Sequence, residues 1–103
     1  MYKNKFIVTI ALLFSTLMFL VSCAINPPVQ EMSNARQAIN AARDAQAEQY
    51  AKNKYNKAKE LLEEARENLE DGDYYTARNL ALEAKHKAIQ ARQDSQNQIK
   101  ENK

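Results

Sequence analysis

Leu69-Glu70-Asp71-Gly72-Asp73-Tyr74-Tyr75-Thr76-Ala77 contains the one glycine of the chain, and the reading of that stretch decides the fold. Glycine tolerates the left-handed backbone conformation that ends a helix, and an Asp beside it can cap the next helix through a side-chain oxygen. Asp71, Gly72 and Asp73 therefore predict a helix turn with a helix on either side. Downstream, Tyr74, Ala77, Ala81, Ala84, Ala88, Ala91 and Ser95 recur at spacings of 3 and 4, the period of one helix face. Leu80, Leu82 and Ile89 flank this seam. Its alanines let a partner helix approach at the short end of the ~8–10 Å interaxial range. An antiparallel hairpin about Gly72 is the predicted use.

Upstream of the turn, Ala51, Tyr55, Ala58, Leu62, Ala65 and Leu69 form the matching seam, with Leu61 beside it. A register in which paired residue numbers sum to about 144 sets Glu67 near Arg78 and Lys59 near Glu83. An earlier apolar stripe, Met32, Ala35, Ile39 and Ala42, opens at Glu31. Continuing its phase would bury Gln46, Gln49 and Asn53, so the stripe slips between Ala45 and Ala51. The slip marks either a bend or a break, although no Gly or Pro enforces one. The predicted fold is all-α: the hairpin about Gly72 plus an N-terminal helix continuous with, or bent from, the second, making two or three helices.

Composition supports helices over sheets. The chain has 103 residues, two Pro and no Trp, and after Cys23 the only β-branched residues are Val29, Thr76 and four Ile, too few for a sandwich. The 81 residues from Cys23 onward suffice for one small domain. Of 15 Lys and Arg, Lys3 and Lys5 precede Cys23, leaving 13 against 13 acidic residues. The basic balance of the whole chain is thus no argument for nucleic-acid binding. Beyond Cys23, eleven large aliphatic or Met side chains, four Tyr and fifteen Ala make a thin core of modest stability. Self-association is one way to add burial, with Tyr50, Tyr55, Tyr74 and Tyr75 as candidate contacts; the alternative is that these tyrosines pack within the hairpin. The lysine run from Lys52 to Lys59 and the glutamate run from Glu60 to Glu70 read as solvated helix faces.

The first 22 residues have the three-part plan of an export signal. Lys3 and Lys5 supply positive charge, residues 6–21 are mostly apolar, and Ser22 then precedes the only cysteine. Sixteen helical residues span ~24 Å, short of the ~30 Å hydrocarbon core, so a permanent membrane span is the less favoured reading. Leu20-Val21-Ser22-Cys23 resembles the lipobox of bacterial lipoproteins. That resemblance implies lipid transfer to the Cys23 thiol, cleavage before Cys23 and acylation of the new amino group. Two or three acyl chains at ~0.8 kcal/mol per buried CH₂ anchor a protein stably. Ala24, not Asp, follows the cysteine, which by resemblance to the Gram-negative sorting rule implies the outer membrane, periplasmic face. The expected divisions are residues 1–22 as signal peptide, 23–30 as lipidated Cys and tether with Pro27 and Pro28, and 31–101 as the helical domain.

Ala35-Arg36-Gln37-Ala38-Ile39, Tyr50-Ala51, Ala58-Lys59-Glu60-Leu61-Leu62 and Asp71-Gly72-Asp73-Tyr74-Tyr75-Thr76-Ala77-Arg78 together resemble the bacterial lipoprotein family called domain of unknown function 4398, over most of residues 27–98. The resemblance implies a cell-envelope lipoprotein. A proline commonly follows the Tyr-Ala pair in that family, whereas Lys52 stands here, which leaves separate and continuous first helices both open. The Gly72-centred pair is also similar to a tetratricopeptide helix pair, although one pair does not make a solenoid. The lipid anchor, Ala-containing heptads and Lys103 resemble murein lipoprotein, whose single long helix Gly72 would interrupt.

No constellation for catalysis stands out. His86 is the sole histidine; Glu83 shares its face, but no second His or Cys completes a metal site. The carboxylates lie on polar helix faces, where nothing perturbs them for acid–base work, and Ser22, Ser33 and Ser95 lack a base. No catalytic residue, metal or cofactor is expected. The expected function is that of a membrane-anchored, non-enzymatic structural or protein-interaction module of the envelope. Its expected partners are the membrane through Cys23 and an envelope protein or peptidoglycan. The alternative is a peptidoglycan-associated or murein-linked lipoprotein attached through Lys103.

Overall fold

Alanine periodicity becomes architecture in the computed structural model of the chain, which describes residues 2–22 and 26–102. Among the described residues all regular structure is helical. The helices are α1 (Tyr2–Ser22), α2 (Val29–Asp44), α3 (Ala47–Tyr50), α4 (Lys52–Glu70) and α5 (Tyr74–Glu101). The all-helical expectation holds; among the described residues after the leader there are four helices, α2 to α5, one of them the single turn α3, where two or three were expected.

The longest helix, α5, is the axis on which the others pack. Its buried residues are Ala77, Ala81, Ala84, Ala88, Ala91 and Ser95, one face at helical spacing. α4 runs antiparallel to it: Lys54 near the start of α4 pairs with Asp94 late in α5, while Ala65 packs with Ala81. α2 runs parallel to α5, since Glu31 meets Arg78 at one end and Ala45 meets Ser95 at the other. Three layers of contact join all three helices: Met32, Ala65 and Ala81, then Ala35, Leu61 and Ala84, then Ile39, Ala42, Tyr55, Ala58, Ala88 and Ala91. Among the described residues, ten of the fourteen buried hydrophobic ones are alanine, so the layers close through backbone proximity more than through large side chains.

Of the bend and the break that the slip between Ala45 and Ala51 allowed, the structure has the break: the chain reverses there. Ala45 caps the C-terminus of α2, Gln46 adopts φ 66°, α3 makes a single turn, and Ala51 at φ −142° and ψ 46° precedes α4 as its N-cap. Burial supplies the cause: Ile39 and Ala42 of α2 and Tyr55 and Ala58 of α4 share one core cluster, which requires the two helices to fold back on each other.

Three further expectations change with α2 in place. α2 starts at Val29, two residues before the expected boundary, because Pro28 is buried and its carbonyl accepts from Met32 N at 3.0 Å; proline's fixed φ and missing N–H suit a helix start. Arg78 pairs with Glu31 at 3.3 Å rather than Glu67, and the Lys59 ammonium lies 4.9 Å from the Tyr55 ring centroid. On α4 the fully buried residues are Tyr55, Ala58, Leu61 and Ala65. Leu62 and Leu69 are half-buried, since a helix packed between two others turns the line between its stripes inward.

Candidate functional site

Leu20, Val21 and Ser22 are the last residues of α1, and Cys23, the expected lipidation position, lies outside the described residues, as do Ala24 and Lys103. α1 touches none of the other described helices. Phe6, Ile7, Leu12, Leu13 and Phe14 are all more than 60% exposed, so the apolar surface over these residues has no protein cover. Among the described residues, no helix is long and apolar enough to cross a membrane.

The point where the chain enters the bundle is fixed by a side chain distant in sequence. Arg78 donates from its terminal guanidinium nitrogen to the Asn26 carbonyl at 3.1 Å and from Nε to Glu31 Oε1 at 3.3 Å. Asn26 therefore sits at the end of the bundle that carries the Gly72 turn. Val29 and Tyr75, both strongly exposed, are at this end too.

The turn itself is a Schellman arrangement. Asp71 is the C-cap of α4; Gly72, at φ 82°, donates to the Leu69 carbonyl at 3.1 Å and Asp73 to the Asn68 carbonyl at 2.9 Å. These two bonds satisfy carbonyls that the helix end leaves without partners. Asp73 then serves the next helix, accepting from Thr76 N through Oδ1 at 3.2 Å. The space around Gly72 is open, so its backbone angle, not crowding, selects glycine.

The four tyrosines behave differently from one another. Tyr55 is buried, accepts from Arg43 Nε at 3.4 Å and donates to Glu48 Oε1 at 3.0 Å; it locks the α2–α3–α4 reversal. Tyr50 and Tyr74 are half-buried, and Tyr75 is 75% exposed. Sequence reading placed Ser95 in the seam without its role: the buried hydroxyl donates to the Ala45 carbonyl, capping the C-terminus of α2. A serine hydroxyl within an alanine seam is the signal that could have found it.

Chemically the surface is bland. His86 is exposed, and among the described residues no group of three or more His, Cys, Asp or Glu side chains could hold a metal ion. Depressions of about 260 and 290 Å³ flank Asp94; the first is lined by Tyr50, Lys52 and Lys54, the second by Tyr50, Asn97 and Gln98. The Glu63 carboxyl is held below the usual carboxylate range, first by its hydrogen bond from Arg66. An acid catalyst needs the opposite shift. Arg66 binds Glu63 and Glu70 together, so part of the glutamate run is an internal brace of α4.

A family model described as Domain of unknown function (DUF4398) matches residues 30–103. No curated protein and no solved structure matched the sequence.

Proposed function

From the premise that the chain belongs to the DUF4398 family, a domain of unknown function matched over residues 30–103, we propose a lipid-anchored, non-enzymatic structural or protein-interaction module of the bacterial cell envelope. The observation that carries this reading is Leu20-Val21-Ser22-Cys23 directly after a charged and then apolar leader. Thiol lipidation followed by cleavage before Cys23 would leave the cysteine three residues from Asn26, where Arg78 holds the chain. The lack of contact between α1 and the other described helices supports the same reading, because cleavage would break no core packing. Residue 24 being alanine favours transfer to the outer membrane, periplasmic face.

The deciding experiment is the intact mass of protein extracted from membranes, compared with a Cys23→Ala variant. The expected result is loss of residues 1–22 and gain of acyl mass in the wild-type chain only. A full-length unmodified mass would replace lipid anchoring with a signal-anchor. For the interaction role, crosslinking in intact cells with and without the anchor should give discrete adducts that depend on Cys23; their absence counts against an adaptor.

A further inference from the structure

The acidic residues of α5 gather on one flank of the helix, with Lys87 among them. Its acidic residues are Glu83, Asp94 and Glu101. Asp94 faces α4, where it binds Lys54, and Glu83, three turns earlier, falls on the same flank. On the other side, Tyr75, Leu82 and Ile89 follow one another at seven-residue intervals; all three are exposed, at 75%, 39% and 37%. Arg78, Lys85 and Arg92 stand three residues after each of them, and His86 and Lys100 share the face. Glu31 already binds Arg78, and Asp44 shares a shallow surface with Arg92. The outer face of α5 is thus an apolar line bordered by cations, the pattern of a surface that lies on anionic headgroups.

We propose that this face of α5 is a docking surface for anionic lipid headgroups, on which the anchored bundle lies along its side; the proposal rests on the lipid-anchor reading of Cys23. Chain continuity selects the membrane as occupant. Arg78, part of the cationic border, holds the Asn26 carbonyl, and three residues back to Cys23 reach only ~10 Å. A lipid on Cys23 therefore brings the bilayer to the Tyr75 end of the stripe. Standing end-on is disfavoured, because that end carries exposed Glu70, Asp71 and Asp73, which anionic headgroups repel. A second copy docked symmetrically, α5 against α5, would set cations against cations. Side-on docking instead puts Lys85, Arg92 and Lys100 at headgroup level while Leu82 and Ile89 meet the acyl boundary.

The test uses full-length protein, processed in cells and reconstituted into vesicles of phosphatidylethanolamine with or without phosphatidylglycerol. A fluorophore is placed on Leu82→Cys or, as control, on Glu67→Cys on the exposed side of α4, and the lipid carries a nitroxide quencher. Quenching is expected at position 82 and not at 67, to require phosphatidylglycerol, and to fade as salt screens the headgroups. Reversing Lys85 and Arg92 to Glu together should lower the ratio of docked to undocked bundle by about 30-fold or more, with helix content and melting unchanged. Equal quenching at 82 and 67, or quenching indifferent to lipid charge and to the reversal, overturns the proposal. Shielding of position 82 that appears only when envelope proteins are added overturns it too, and assigns the face to a protein partner. Failure of the anchor is seen separately, as a full-length mass and a free Cys23 thiol. The comparison of 82 with 67 is then repeated in a Cys23→Ser background, where the apolar leader holds the chain to the vesicle; preferential quenching at 82 still supports the docking face, and its absence overturns it.

Discussion

Gly72 and Gln46 have positive φ, 82° and 66°, yet only one is a glycine. A side chain in this region costs about 1–2 kcal/mol, while glycine loses more entropy on folding. Gly72→Ala is therefore expected to destabilise the bundle by about 1 kcal/mol, or ~4–8 °C in melting temperature for a domain of this size. Gln46→Gly is expected to stabilise it by about 0.5–1 kcal/mol. Circular dichroism melts of the two variants check the opposite signs. Ser95 gives a second residue-scale prediction. Its hydroxyl is buried against the Ala45 carbonyl, and Ser95→Ala leaves that acceptor without a donor, at a cost of about 1–3 kcal/mol. Chemical denaturation should show a lower midpoint with an unchanged slope. Ser95→Gly would add backbone entropy to the same loss, so alanine is the cleaner probe.

At the scale of the element, α5 is distinguished by how little its buried side projects. Ala84 contacts Leu61 of α4 and Ala35 of α2 in one layer and is fully buried. Ala84→Leu forces three backbones apart, and overpacking of this kind costs about 1–3 kcal/mol or more; an unfolding midpoint well below that of an exposed control such as Gln90→Leu is expected. α4 has no acid in its first turn and no base in its last, so its charges oppose the helix dipole. The brace from Arg66 to Glu63 and Glu70 compensates within the helix. Because the folded-state Glu63 carboxyl is lowered by Arg66, its contribution is present above the ordinary carboxylate value of 4.5 and is lost as pH falls through the lower folded value. Acid titration of stability should thus show a small, salt-sensitive loss below about pH 4.5 that Glu63→Gln removes. Both predictions concern α4 and α5, whose periodicity and turn were legible in the sequence. The exchange of Leu62 for Leu61 as the most buried leucine was not, because two packing partners shift the inward face of α4 between stripes.

For the whole molecule, the described contacts divide the chain into a leader and a bundle. α1 contributes no packing to the described helices, so protein lacking residues 1–22 is expected to melt within about 1 °C of the full-length chain in the same detergent. A marked fall in melting temperature would mean that the leader supports the fold. The Tyr55, Arg43 and Glu48 contacts show why the bundle closes at the Gln46 end with no glycine to turn it: polar side chains from all three segments meet on one buried ring. Such a contact has no local signature, since Arg43 and Tyr55 are twelve residues apart and each alone resembles an ordinary surface or seam residue.

By itself the sequence determined the helical class, the turn at Asp71-Gly72-Asp73, the alanine seam of α5 and the likeness of residues 20–23 to a lipobox. Each is local: a period, a backbone angle or a short run of side chains carries it. Tertiary structure decided that α2 folds back on α4 and lies parallel to α5, that Arg78 holds Glu31 and Asn26 rather than Glu67, and that Ser95 caps α2. Periodicity says which face of a helix seeks burial but not which neighbour covers it. With alanine lining most of the seams, several pairings would fit, and only the joint closure of Met32, Ile39, Tyr55 and Leu61 among three helices selects one.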